Sequence, residues 1–169
     1  HPCQAISDMY TLKENFGSIN NLNIVWMGDM NNVLLSLLEA ISFTKNTKVD
    51  VFTDEAIYSH NKDSFNLNKN INFHFNINEE IIAKANCIMT DVFTSMNDKE
   101  DKENLLSKFQ VNDKIMSLTD KKSVFMHCLP AKIGSEVSED VIKGEKSIVL
   151  AQAKNRLVAQ KGILKWLSI

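Results

Sequence analysis

An α/β fold built on a Rossmann-like parallel sheet, with helices on both faces, is what the sequence predicts, and three observations carry it. Apolar runs of strand length alternate with segments of helical spacing. The junctions between them hold turn and cap residues, most clearly Gly28-Asp29 followed by Asn31 and Asn32. No low-complexity linker or internal repeat interrupts the pattern, and 169 residues suffice for one compact domain.

Pro2 suits the first turn of a helix, where its missing N–H does no harm. Ile6, Met9 and Phe16 keep near-helical spacing, and Gly17 supplies a C-terminal stop. After the polar stretch from Ser18 to Asn21, Leu22-Asn23-Ile24-Val25-Trp26-Met27-Gly28-Asp29 reads as an apolar strand ending in a turn. Asn31 or Asn32 then caps a helix whose Leu34, Leu37, Leu38 and Ile41 form one stripe. Strand, tight turn and helix in that order open a parallel α/β unit.

The unit repeats. Val49 to Thr53 and Ile71 to Phe75 read as strands separated by a polar segment expected to be helical. Asn78 caps a short helix through Ala85, and Cys87 to Thr90 is a further strand. The mixed charges from Asp98 to Glu103 read as a solvated face leading into Leu105, Leu106 and Phe109. Asn112 caps another short helix before the strand Val124 to Cys128. Ser147 to Leu150 is expected as a last short strand, and Gln152 to Ser168 as a closing helix with apolar Leu157, Ile163, Leu164 and Leu167.

A net charge of -2 gives no basic footprint for nucleic acid or an acidic membrane, so any anion site must be local. The apolar runs are short and interrupted by charge, which argues against a bilayer span. There is no signal-like segment, and His1-Pro2-Cys3-Gln4 reads as a sequence entered mid-protein. Cys3, Cys87 and Cys128 are odd in number and unclustered, so neither a disulfide framework nor a zinc site is indicated. A reducing, cytoplasmic setting fits best.

In an open parallel sheet, ligands bind beyond the carboxyl ends of the strands. Three strands end there in polar or reactive residues: Gly28-Asp29-Met30-Asn31-Asn32, Asp91-Val92-Phe93-Thr94-Ser95-Met96 and His127-Cys128-Leu129-Pro130. Each has a plainer structural meaning. Gly28-Asp29 serves equally as turn chemistry, and it lacks the spaced glycines of a dinucleotide loop. Asp91 can be only a cap, although with Ser95 it offers a carboxylate and a hydroxyl to a cationic amino acid. Cys128 can be an inert buried thiol, since only a lowered pKa makes a thiol reactive. His127 reads as a structural residue oriented by hydrogen bonds. Arg156, after Asn155, can be plain surface or a fork for phosphate or a carbonyl oxygen. His1 and Gln4 lie one helical turn apart and can face one point.

Taken in order, His-Pro-x-Gln, Gly-Asp-x-Asn-Asn, Asp-x-x-x-Ser-Met, His-Cys-Leu-Pro and Asn-Arg in a closing helix resemble the ornithine carbamoyltransferases. The aspartate carbamoyltransferases are similar in fold but carry proline in place of the cysteine. The resemblance implies that His1, Gln4 and Arg156 contact carbamoyl phosphate, with Cys128 and Leu129 beside them. It implies that Asn32, Asp91, Ser95, Met96 and Leu129 hold L-ornithine, and that Cys128, His1 and Arg156 serve catalysis. No metal or organic cofactor is expected. Residues 1–17 would form an inter-domain helix carrying carbamoyl-phosphate contacts, and 18–169 the ornithine-binding domain ending in a long C-terminal helix. The N-terminal carbamoyl-phosphate domain, with its Ser-x-Arg-Thr-Arg loop, is not in this sequence, so the isolated chain is expected to be inactive. The intact enzyme would be a homotrimer. The sequence departs from the family pattern at Asn97, Lys154 and Val158. Rival readings are transfer to another amine such as putrescine, and a non-catalytic α/β binding module.

Overall fold

The computed structural model describes residues 1–65, 70–94 and 102–169. Among the described residues five strands form one sheet: β1 (Asn23–Met27), β2 (Lys48–Phe52), β3 (Ile71–His74), β4 (Cys87–Thr90) and β5 (Val124–His127). Their order is β3-β2-β1-β4-β5, and every pairing is parallel. β1 is central, which explains its sequence. Ile24, Val25, Trp26 and Met27 are all buried, because a strand covered on both faces is apolar throughout rather than alternating.

The helices are α1 (Pro2–Phe16), α2 (Asn32–Ile41), α3 (Glu55–Asn61), α4 (Glu79–Ala83), α5 (Glu103–Leu106), α6 (Asp113–Leu118), α7 (Glu139–Ile142) and α8 (Val149–Leu167). From β1 the chain steps outward to β2 and β3, then returns across the sheet to β4 and β5. Right-handed crossovers in these two opposite directions put α2 and α3 on one face and the α4 to α6 connections on the other. α1 packs on α2 and on α8, completing the first layer, while α6 packs on α4 and α7 in the second. Local signals place the helix ends. Asn31, Asp54, Asn78 and Asn112 each cap a helix through the side-chain oxygen, and Gly17 closes α1 at φ 75°.

Two expectations are corrected at the C-terminal end. Ser147 makes one parallel bridge to Phe125 and no strand follows, because α8 has already begun at Val149. A short apolar run does not by itself separate strand from helix start. The apolar stripe expected of the closing helix is also not its buried side. Leu157, Leu164 and Leu167 are 58%, 67% and 67% exposed, whereas Val149, Gln152 and Asn155 face inward. The charge run is corrected too. Of its described members, Lys102 is not simply solvated, since its Nζ lies 2.9 Å from the buried Asp29 carboxylate.

Gly28 marks the end of β1. Its N–H still donates to Phe52 O at 2.9 Å, but φ is +130°, and a Cβ there would lie 3.0 Å from the ring of buried Phe93. A side chain would be both strained and crowded. Gly28→Ala is therefore expected to destabilise the fold by about 1–3 kcal/mol, read as a lower midpoint in urea unfolding. An unchanged midpoint would contradict this account of the turn.

Candidate active site

β1 and β4 lie side by side, yet the chain leaves them toward opposite edges of the sheet. Such a switch of direction opens a crevice beyond the strand ends. Residues 28–31, 91–94 and 127–130 all arrive there.

Asp91 stands at the centre of that edge and is 7% exposed. Asn31 caps α2 by accepting from Val33 N and Leu34 N at 3.0 and 3.1 Å. With its oxygen so engaged, its amide nitrogen turns outward and donates to Asp91 Oδ2 at 2.8 Å. From β5, the Cys128 thiol donates to Asp91 Oδ1 at 3.1 Å. Three strand exits thus meet on one carboxylate. Burial, then the charge of Asp91 and the hydrogen bond to it, push the Cys128 thiol well above its usual range. Cys128 is therefore a thiol donor here, not a thiolate nucleophile or base.

His127 is held rigidly behind this cluster. Its Nδ1 accepts from Leu129 N–H at 2.9 Å, which leaves the proton on Nε2, 3.0 Å from Glu136 Oε1. Both side chains are fully buried, and Lys132 N–H also donates to Glu136 at 2.6 Å. The ring so orients Leu129, whose φ of 54° is left-handed for a non-glycine residue and which joins Pro130 through a cis peptide bond. As expected from sequence, His127 is a framework residue, aiming the segment that carries Cys128 and Leu129.

The α1–α8 side contributes a second polar set. Arg156 Nη1 donates to Gln4 Oε1, and Gln4 Nε2 donates to Asp8 Oδ1 at 2.8 Å. Gln152 Nε2 donates to the same oxygen at 2.7 Å, and Gln152 Oε1 accepts from His127 N–H at 2.9 Å. Asp8 Oδ2 is buried with no hydrogen-bond partner among the described residues. Desolvation is the leading reason that the Asp8 carboxyl rises from 3.8 to about 6; the two glutamines and Arg156 oppose it, while Asp91 adds to it. Asp8 and Asp91 therefore feel each other's charge across the site.

The predicted residues fall unevenly. Asp91, Cys128 and Leu129 come together at the strand exits, and Gln4 meets Arg156 across α1 and α8. Asn32 is exposed, and its neighbour Asn31 makes the contact to Asp91. His1 is exposed, and its amino nitrogen donates to Ser36 Oγ at 2.9 Å. Ser95, Met96 and Asn97 lie outside the described residues, while Lys154 and Val158 are exposed. Sequence reasoning missed Asn31, Asp8, Gln152 and Glu136 as members of the polar networks. A signal existed for two of them: Gln4 and Asp8 are one turn apart on α1, and Gln152 is one turn from Arg156 on α8.

Among the described residues, Asp91, His127 and Cys128 bring metal-ligand atoms within 4.8 Å of one another. All three are already joined to protein partners, the thiol to Asp91 and Nδ1 to Leu129 N–H, so hydrogen bonding alone accounts for the cluster. A separate surface cleft of about 470 Å³, beside Ile77, Lys108 and Leu118, holds none of these residues. No described helix is long and apolar enough to cross a membrane.

A buried carboxylate, bonded to a half-buried amide and a half-buried thiol, stands beyond the central ends of a parallel sheet in an α/β domain. Residues 20–167 match the family model described as the Asp/Orn-binding domain of aspartate/ornithine carbamoyltransferase, and the chain belongs to that family. It is 43% identical over 171 residues to an ornithine carbamoyltransferase of Rhodopseudomonas palustris, an alignment covering 98% of this chain and 54% of that protein. A relative of the same name from Nitrobacter winogradskyi is 41% identical, with 98% and 55% covered. Solved ornithine carbamoyltransferases from Thermus thermophilus and Pyrococcus furiosus superpose with TM-scores of 0.81, at 36% and 34% identity. These cover 97% of this chain and 54% and 55% of theirs. The chain spans about half the length of the relatives it matches.

Two outcomes follow from the burial of these groups. His127→Ala leaves the buried Glu136 side chain without its ring partner and is expected to cost about 1–3 kcal/mol; an unchanged midpoint in urea unfolding would contradict a pair that holds the β5 exit. Asp8 sets a pH dependence. Its raised pKa favours the neutral form, so its contribution to stability is complete below pH 3.8 and is lost as pH rises through about 6. Asp8→Asn should thus gain on the order of 3 kcal/mol relative to the native chain between pH 4 and pH 7. Parallel pH curves for the two proteins would contradict it.

Proposed function

We propose that the protein carrying this chain transfers the carbamoyl group of carbamoyl phosphate to the δ-amine of L-ornithine, giving L-citrulline and phosphate. The observation that carries the reading is the meeting of Asn31, Asp91 and Cys128 at one point, with Gln4 and Arg156 joined to the end of β5 through Asp8 and Gln152. The two sets supply the polarity that the two substrates need. Asp91 offers a carboxylate to the α-ammonium of ornithine, and Leu129, Asn32, Ser95 and Met96 complete that subsite. Arg156, Gln4 and His1 face carbamoyl phosphate, with Cys128 and Leu129 between the substrates.

In the reaction the amine lone pair forms a bond to the carbamoyl carbon and the bond from that carbon to the phosphate oxygen breaks. The amine loses a proton. Arg156 and His1 stabilise negative charge on the carbonyl oxygen as the tetrahedral intermediate forms. With its pKa raised, Cys128 acts as an orienting donor, and the departing proton goes to solvent or to phosphate. Holding amine and carbonyl together accounts for most of the rate gain.

The same reading makes residues 1–17 an inter-domain helix and 18–169 the ornithine-binding domain of a longer enzyme. It places that enzyme in the cytoplasm as a homotrimer, a state that sedimentation of the full-length protein would test. The 169-residue chain, which spans about half the length of its relatives, should form no citrulline when assayed alone. In the full-length protein, losing one hydrogen-bonded charge contact in Asp91→Ala should raise KM for ornithine about 10- to 100-fold, with little change for carbamoyl phosphate. Equal losses for both substrates, or putrescine accepted as readily as ornithine, would sink the assignment.

A further inference from the structure

We propose that Asp8 is a positioning residue: by accepting from both Gln4 and Gln152 it sets which way their side-chain amides face, and so presents Gln4 Oε1 to the Arg156 guanidinium. This role rests on the carbamoyl-transfer reading above and extends it to a residue that touches neither substrate.

A glutamine amide has almost the same shape either way round, so its neighbours decide its orientation. Each of these two amides is caught between a group that accepts and a group that can only donate. Gln4 lies between Asp8 Oδ1 and Arg156 Nη1. Gln152 lies between the same Asp8 oxygen and His127 N–H. Asp8 is the accepting end of both, and one carboxylate thereby sets two amides. The consequence reaches Arg156 directly. Among the described residues its buried Nε finds no partner, and Gln4 Oε1 is what the guanidinium donates to.

The choice of a carboxylate here is costly. Asp8 Oδ2 has no partner, and burial raises the group's pKa. The groups facing it are Gln4 from its own helix and Gln152 and Arg156 from α8, with the charge of Asp91 sensed from beyond β4. A neutral side chain of the same shape would avoid the desolvation cost, which at pH 7 offsets the hydrogen bonds it would lose, so stability alone does not account for the carboxylate. Orientation does. An asparagine at this position would face two poor choices. With its oxygen toward the glutamines, its NH₂ sits where Oδ2 finds no partner. With its NH₂ toward them, both glutamines flip and Gln4 turns a donor on Arg156.

The test uses the full-length protein and its Asp8→Asn variant. Carbamoyl-phosphate affinity is measured by calorimetry without ornithine, alongside steady-state kinetics and thermal unfolding at pH 7. The expected result is a melting temperature equal to or above the native one, together with carbamoyl-phosphate binding about tenfold weaker and KM for ornithine nearly unchanged. A merely structural role predicts the reverse, a lower melting temperature with both substrates affected alike. That result, a variant that fails to fold, or unchanged carbamoyl-phosphate affinity would each overturn the proposal. Absence of citrulline from the native protein, with binding still dependent on Asp8, would refute the transfer reading and leave the positioning role standing. A native protein that binds no carbamoyl phosphate would remove both.

Discussion

All five strands run in one direction, and that constraint carries everything functional in this domain. Parallel pairing sends every strand's carboxyl end to the same edge of the sheet, so residues far apart in sequence become neighbours without any contact having to recruit them. Because β1 and β4 lie side by side while the chain leaves them in opposite directions, the edge opens between them rather than being roofed by a connection. Asp91 and Cys128 meet there because each directly follows a strand, and Asn31 joins them as the cap of the helix that follows β1. The apolar surface buried on both faces of β1 and its neighbours is what stabilises that geometry.

What occupies the edge is a chain of buried polar groups satisfied by one another. Asp91 takes donors from Asn31 and Cys128, Glu136 takes donors from His127 and Lys132, and Asp8 takes donors from two glutamines. Each unit is a carboxylate fixed by hydrogen bonds, and each fixes something else in return. Asn31 is held by its cap, His127 by Leu129, and Gln152 by the outward N–H at the end of β5. Such networks rigidify when complete and cost dearly when broken. Among the described residues these networks leave gaps at Asp8 Oδ2, Glu136 Oε2 and Arg156 Nε.

The pKa pattern sharpens the roles. A thiol at the exit of a parallel strand invites assignment as a base, yet burial and the neighbouring carboxylate drive the Cys128 pKa upward. It is the wrong environment for a thiolate, which needs positive charge or a helix N-terminus nearby. The same pairing makes good sense as a fixed donor that orients Asp91.

Local chemistry by itself determined the strand and helix order, the asparagine caps, the glycine turn after β1 and the grouping of Asp91 and Cys128 at strand exits. These depend on hydrophobic period, turn propensity and the rule for parallel sheets, all of which are written in neighbouring residues. Tertiary structure alone decided that Asn31 rather than Asn32 reaches Asp91, since the helix start rotates consecutive side chains about 100° apart and only packing chooses between them. It alone decided that α8 buries Gln152 and Asn155 and exposes Leu157 and Leu164, against the apolar period. A polar side chain goes inward only when partners await it, and those partners, Asp8, Thr11 and the His127 N–H, lie on α1 and β5, more than twenty residues away along the chain.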